Sequence, residues 1–265
     1  MTIATPRISG TREWSVASVN IILGCPHRCR YCYARARAVQ YGQCPSHAAW
    51  GTTYHRIRSA EVTKRRTKVD GRVMFPTTHD IIPEHLESCL EVLRRLLAAG
   101  NDVLIVSKPH WACIKTICDR LRMFRDQIFF RFTIGAKDDA ILAYWEPGAP
   151  NFRERLASLK HAYDQGFATS VSCEPLLDAE HVGELVATLD PYVTDSIWIG
   201  KMNEARSRAA PDTDPAELAR IEAGQTEEKI RVIYGALKDN PKVRWKESYK
   251  AALGLELAQE AGLDK

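Results

Sequence analysis

Short apolar runs rich in branched residues alternate along this chain with helix-length amphipathic stretches. Ser15–Leu23 reads as a first strand that runs straight into a cluster of cysteines. Arg72–Phe75 reads as a second strand and ends in Pro76-Thr77-Thr78-His79-Asp80. Over Glu84–Ala99, Leu86, Leu90, Leu93, Leu96 and Leu97 share one helical face, and Gly100-Asn101 stops the helix. Asp102–Val106 is the third strand, followed by a helix over roughly His110–Met123 and a fourth strand over Gln127–Thr133. A helix over Asn151–Asp164 closes at Gly166, a residue suited to a C-cap. Ala168–Cys173 is the fifth strand, His181–Leu189 a helix, and Ser196–Ile199 the sixth strand. Ala205–Pro215 is polar, holds two prolines and predicts a loop. Glu227–Lys238 is a last amphipathic helix, ahead of the short apolar run Val243–Lys246.

Six strand–helix repeats in strict alternation predict a parallel sheet with right-handed crossovers. The expected fold is α/β, a partial (β/α)6 barrel amounting to three-quarters of a (β/α)8 barrel. In such sheets the chemistry gathers at the carboxyl ends of the strands. The 265 residues are expected to form a single domain, with a core over 15–203 and a C-terminal helical extension over 204–265.

Composition changes this picture little. With 45% hydrophobic and 26% charged residues the chain is an ordinary globule, long enough to need no staple. Its net charge of +4 is compatible with a phosphate-bearing substrate. No apolar run reaches the roughly 18 residues of a membrane span, so no membrane partner is expected. The polar stretch Met1–Trp14 lacks the hydrophobic core of a secretory signal, which points to a cytoplasmic location. A reducing cytosol keeps thiols free, so the eight cysteines need an explanation other than disulfides.

Three of them fall in Cys25-Pro-His-Arg-Cys29-Arg-Tyr-Cys32, a C-x3-C-x2-C spacing. Closely spaced thiolates on one short loop suit a compact Fe–S cluster, and three ligands to a four-iron cluster leave one iron open. Two other readings stand beside it. One is a structural zinc site completed by Cys44 or His27, although paired Cys-x2-Cys spacings are the usual zinc signature. The other is an electron-transfer cluster with a remote fourth cysteine.

The stretch Asn20-Ile-Ile-Leu-Gly-Cys-Pro-His-Arg-Cys-Arg-Tyr-Cys-Tyr33 resembles the cluster loop of the radical S-adenosylmethionine superfamily. Ser15 to about Asn203 further resembles its spore photoproduct lyase-like branch. That likeness is carried by Phe75–Asp80, Ser107-Lys-Pro109, Phe132–Gly135, Trp145–Leu156 and Trp198–Asn203. The resemblance implies a 4Fe–4S cluster on Cys25, Cys29 and Cys32 that binds S-adenosylmethionine at its open iron. Reductive cleavage then gives a 5′-deoxyadenosyl radical that takes a hydrogen atom from a substrate. It also implies a reducing partner such as a flavodoxin or ferredoxin, and Tyr31 near the adenine.

Where many relatives carry Gly-Gly-Glu for the methionine amino group, this chain has Thr77-Thr78-His79-Asp80, so Thr77 and Thr78 are expected at the cofactor. No cysteine here matches, by its surroundings, the hydrogen donor of DNA-repairing photoproduct lyases. The expectation is therefore a relative of that enzyme with a different task.

Further candidates come from the strand ends. Lys108 can offer a cation to a cofactor carboxylate or ribose, or be a solvated loop lysine. Arg131 and Thr133 share one face of their strand. If that face is the barrel interior, Arg131 needs an anionic partner, either the cofactor carboxylate or Glu174. Cys173 is either a small core hydrophobe or a hydrogen-atom donor in the site. Arg56, Arg58, Lys64, Arg65, Arg66, Lys68 and Arg72, extended by Arg35 and Arg37, read either as a solvated face or as a phosphate-backbone footprint for a nucleic-acid substrate. The competing substrate class is a small metabolite or peptide held in the barrel mouth.

Overall fold

A computed structural model of the chain describes residues 8–262; the first seven residues of the polar N-terminal stretch and the last three of the chain lie outside the described residues. Among the described residues, seven strands form one sheet: β1 (Ala17–Ser18), β4 (Val73–Phe75), β5 (Val103–Ser107), β6 (Ile128–Thr133), β7 (Ala168–Cys173), β8 (Ile197–Ile199) and β9 (Val243–Trp245). Every neighbouring pair is parallel and the strands lie side by side in chain order. Two further short strands, β2 (Ile22–Leu23) and β3 (Arg56–Ile57), pair antiparallel outside this sheet.

Alternation along each strand sorts side chains to two faces. Val73, Phe75, Val103, Ile105, Phe130, Phe132, Val171, Cys173, Ile197 and Ile199 join the large core beneath the helices. Met74, Leu104, Phe129 and Trp198 face the other way and meet Trp14 in the barrel interior. The main helices, Leu86–Ala98, Trp111–Arg120, Phe152–Asp164 and Val182–Leu189, fall where the apolar period places them. Leu90, Leu93, Leu96 and Leu97 of the first are buried, as their shared face requires.

The α/β parallel architecture is as predicted, with three local differences. The run Ser15–Leu23 is two strands, because the chain turns away at Asn20, whose side chain bonds to Thr77 and Thr78. The segment beyond residue 203 is not helical throughout: β9 adds a seventh parallel strand against β8. Finally, Ala205–Pro215 is not all loop. Ala205–Arg208 is a helical turn, and Pro215 begins a helix over Pro215–Ala223 capped by Asp214, whose carboxylate accepts the N–H of Ala216 at 2.8 Å. Proline at the first helical position starts a helix rather than breaking it. No helix among the described residues is long and apolar enough to cross a membrane.

Candidate functional site

A cavity of about 540 Å³ opens at the carboxyl ends of the strands. Cys25, Cys29 and Cys32 line it together with Tyr31, Thr77, Thr78, Lys108 and Thr133. The loop bearing the cysteines lies between β2 and the helix Tyr33–Gln40, which begins just after Cys32; the Cys32 sulfur accepts the Arg35 N–H at 3.4 Å. Gly24 and Gly51 have φ of +78° and +75°. A Cβ on Gly51 would lie 2.1 Å from the Cys25 carbonyl oxygen, so only glycine lets this backbone approach.

The segment Trp145–Gly148 braces the same loop from the far side. Arg30 N–H donates to the Trp145 carbonyl at 2.8 Å, and Gly148 N–H donates to the His27 carbonyl at 3.0 Å. The Tyr31 hydroxyl donates to Glu146. Glu146 in turn is buried against Arg155, at 2.5 Å, and Arg155 also donates to the carbonyls of Pro150 and Thr133. One buried carboxylate therefore joins the cysteine loop to the end of β6.

Asp80 is the second joint. It accepts from His27 Nδ1 at 2.8 Å, the Lys108 N–H at 2.7 Å and the Ser107 hydroxyl at 3.1 Å, and its Oδ2 lies 3.7 Å from Lys108 Nζ. Burial alone would raise the Asp80 pKa, but Lys108 and His27 outweigh it and hold the carboxyl well below its usual range. Burial likewise works against a charged Lys108, yet Asp80, Cys29, Tyr31 and Glu146 together keep the ammonium above its ordinary value. Lys108 is thus a permanent cation at the cavity wall.

Burial pushes all three thiols up, Cys29 to about 12. Cys29 and Cys32 add to the rise at Cys25, and Cys32 to that at Cys29, so the three thiols lie close enough to interact by charge. Thiols that ionise poorly alone become ligands when a metal displaces the proton, so a buried trio on one loop fits a thiolate-ligated cluster.

Thr77 and Thr78 also line the cavity, but their N–H groups already donate to Asn20 Oδ1 at 2.7 and 2.9 Å, and the Thr77 carbonyl accepts the Tyr33 hydroxyl at 2.7 Å. Thr133 is mostly buried at the end of β6.

Arg131 and Cys173 are placed elsewhere. Arg131 is on the interior face, as expected, yet one layer below Thr133 and outside the cavity lining. It donates to Ser170 Oγ at 2.9 Å, lies 3.9 Å from Asp195, and stacks over Trp14 and Trp198. Its anionic neighbour is Asp195 rather than Glu174. Cys173 is fully buried in the core under the helices, because strand alternation turns Ser170 and Ser172 to the opposite face. Cys44, also buried, packs with Cys25, Ala34 and Trp50 behind the cysteine loop. The basic segment does not line the cavity either: Arg58, Lys64 and Arg66 converge on Glu61. Of the basic residues considered near the loop, Arg37 does reach the cavity, whereas Arg35 is buried and donates to the Arg30 carbonyl at 2.6 Å.

A buried charge cluster beside the cavity, reaching its wall through Glu174, was not visible in the sequence. Lys246, just past β9, lies 2.5 Å from Glu13, 3.5 Å from Glu174 and 3.9 Å from Glu247, and 3.9 Å from the centre of the Trp14 ring. Of these acids Glu174 lines the cavity, and burial raises its pKa against the opposing pull of Lys246. A lysine after a short apolar run carries no signal of such burial. Its partner Glu13 is more than two hundred positions away.

No family model matches the chain. An uncharacterised protein of Acidianus two-tailed virus is 26% identical over 180 residues, covering 63% of this chain and 58% of its own length. The chain thus spans just over half the length of that curated relative. Among solved structures, a cysteine-to-alanine mutant of spore photoproduct lyase aligns over 92% of this chain and 79% of its own, with a TM-score of 0.56 and 14% identity. The same kind of mutant with a dinucleoside spore photoproduct gives 0.55 at 15% identity, over the same shares of the two chains. SuiB of Streptococcus suis bound to S-adenosylmethionine gives 0.53 at 10% identity, over 93% of this chain and 54% of its own. At such identities the likeness is one of fold: this chain shares the parallel α/β partial barrel of those proteins.

Proposed function

We propose that the protein is a radical S-adenosylmethionine enzyme, with a 4Fe–4S cluster on Cys25, Cys29 and Cys32. The observation that carries this reading is the placing of three buried or half-buried thiols of one loop in the wall of a cavity that Lys108 and Thr133 also line. A fold neighbour solved with S-adenosylmethionine bound supports the same reading. When bound, the cluster would supply the electron that cleaves S-adenosylmethionine to methionine and a 5′-deoxyadenosyl radical.

The chain's own residues have separable tasks. Lys108 holds a fixed positive charge for a carboxylate or ribose hydroxyl, kept ionised by Asp80. Thr133 offers a hydroxyl at the end of β6, and Tyr31 an aromatic face within the cysteine loop. Thr77 and Thr78 shape the wall beside the cysteines, held in place by Asn20. Arg131 and Cys173 are assigned no part in cofactor contact.

The substrate reading favoured is a nucleotide or nucleic acid. Arg12, Arg37, Lys201 and Arg208 line the cavity along with Lys108, and Asp80 and Glu174 are the acids among the lining residues. This ring of cations, rather than the Arg56–Arg66 segment, is where phosphates would be gripped. The reaction is taken to differ from photoproduct repair, since the cysteines lining the cavity among the described residues are those of the cysteine loop itself. A peptide substrate is the alternative, favoured by the fold neighbour SuiB bound to its precursor peptide SuiA.

Anaerobic reconstitution followed by dithionite reduction tests the reading. About four irons per chain and 5′-deoxyadenosine release are expected, with both lost on serine substitution of Cys25, Cys29 or Cys32. A full cluster in any one of these variants would displace that cysteine as a ligand. Charge reversal at Arg12, Arg37 and Lys201 should flatten the salt dependence of DNA or RNA binding, by roughly 0.7–0.9 of a power of salt per lost contact. Absence of such binding at low salt would leave the peptide reading.

A further inference from the structure

We propose that His55, Glu84 and His85 form a second metal site, one that takes a divalent transition-metal ion such as Zn2+ and clamps the strand beneath the cysteine loop to the turn beyond β4. His55 immediately precedes β3; Glu84 and His85 belong to the helical turn Pro83–His85. The sequence brings these segments together from opposite sides of the basic stretch, and neither was singled out by its residues alone.

The geometry is that of a nearly closed ligand set. The two imidazole centroids are 5.0 Å apart. Glu84 reaches both rings, with Oε2 at 3.9 Å from His55 Nδ1 and Oε1 at 3.9 Å from His85 Nε2. One ligand atom from each residue lies within 4.8 Å of the other two. Tetrahedral zinc, with bonds of about 2.0–2.2 Å, needs ligand atoms roughly 3.3 Å apart. Glu84 is 65% exposed in its side chain and can swing to close that gap, whereas the histidines are held by burial at 10% and 17%.

A second observation points to a ligand. His55 Nε2 and His85 Nε2 are both buried with no hydrogen-bond partner among the described residues. A buried imidazole nitrogen without a partner is costly, and a cation bound by the ring relieves the cost. Two imidazoles and a carboxylate suit zinc or ferrous iron and offer too few oxygens for calcium or magnesium.

The other nearby group, Cys25, His27 and Asp80, has its imidazole and carboxylate already engaged and belongs to the cysteine loop. The proposed site adjoins that loop without sharing a ligand with it. The Cβ position of Gly24, next to Cys25, is 1.8 Å from the Tyr54 carbonyl oxygen and 3.2 Å from His55 Cα. A cation held by His55 therefore fixes the backbone on which the cysteine loop rests.

The test uses full-length protein with its cluster reconstituted, given Zn2+ anaerobically, desalted and assayed for zinc and iron while the cluster absorption is followed. The wild type should retain one zinc per chain with its iron unchanged, and zinc should raise its melting temperature. His55→Gln and His85→Gln should each weaken zinc retention by roughly tenfold or more, and Glu84→Gln by less. Glu84→Gln alters an exposed side chain and keeps the test sound should a histidine variant fold poorly. No zinc uptake by the wild type at micromolar zinc, uptake only as the cluster absorption is lost, or equal retention in all three variants would each overturn the proposal.

Discussion

Asp80 accepts the backbone N–H of Lys108 at 2.7 Å, joining the loop after β4 to the carboxyl end of β5. The same carboxylate meets His27 at 2.8 Å, so a single acid positions both the lysine and the cysteine loop. Asp80→Ala should leave buried donors on both sides unpaired. Each charged hydrogen bond lost costs on the order of 1.5–3 kcal/mol. Urea unfolding of the cofactor-free protein should show a loss of at least that size, and a loss below about 1 kcal/mol would remove Asp80 from this role.

Glu146 and Arg155 form a fully buried ion pair between the cysteine loop and β6. Removing one partner strands a charge in the interior, a loss of about 3–5 kcal/mol. Arg155→Met should therefore destabilise strongly, and adding Glu146→Gln to it should recover part of the loss. A double-mutant cycle read by urea unfolding checks this; strict additivity would mean that the pair is not coupled.

The cysteine loop offers a test of the proposed cluster by backbone alone. Gly51→Ala places a methyl group 2.1 Å from the Cys25 carbonyl oxygen at a φ of +75°. The loop must shift, so iron retained after reconstitution should fall well below the wild-type amount while the overall fold, followed by far-UV circular dichroism, persists. Full iron retention would show that the loop tolerates the displacement.

His79 sets a pH limit. Its Nε2 accepts the Ile21 N–H at 3.1 Å, and burial lowers its pKa from 6.5 to about 4. The unfolded chain therefore binds the proton first as pH falls. The stabilising contribution is complete above about 6.5 and is lost progressively down to about 4. At 1.36 kcal/mol per pH unit, that window carries about 3 kcal/mol. Urea unfolding between pH 7 and 4 should show this slope in the wild type and a shallower one in His79→Gln; identical slopes would assign the acid sensitivity to other groups.

The parallel sheet was legible because its strands are short apolar runs with helical periods between them, and Phe130 and Phe132 against Arg131 and Thr133 already gave the two faces of β6. The cysteine loop was legible from spacing, and the segment Trp145–Leu156, noticed only as a likeness, turns out to brace that loop. What stayed hidden depends on partners far apart in the chain. Nothing near Lys246 announces that it is buried among Glu13, Glu174 and Glu247. Nothing in Ser15–Leu23 marks the turn at Asn20 except a side chain whose partners lie nearly sixty positions on. Cys173 reads the same inside or outside the barrel until the strand register is known.

The brace across the cysteine loop also fixes an order of events in the life of the chain. Arg30 and Tyr31 are held by Trp145 and Glu146, more than a hundred residues later. Closing so long a loop costs chain entropy that is repaid only when the intervening strands have docked. A chain still emerging from the ribosome thus carries three cysteines on an unshaped segment, without the buried walls that favour a cluster. On the proposed reading iron loading belongs to the finished barrel, and a chain ending before Trp145 should not retain iron after reconstitution.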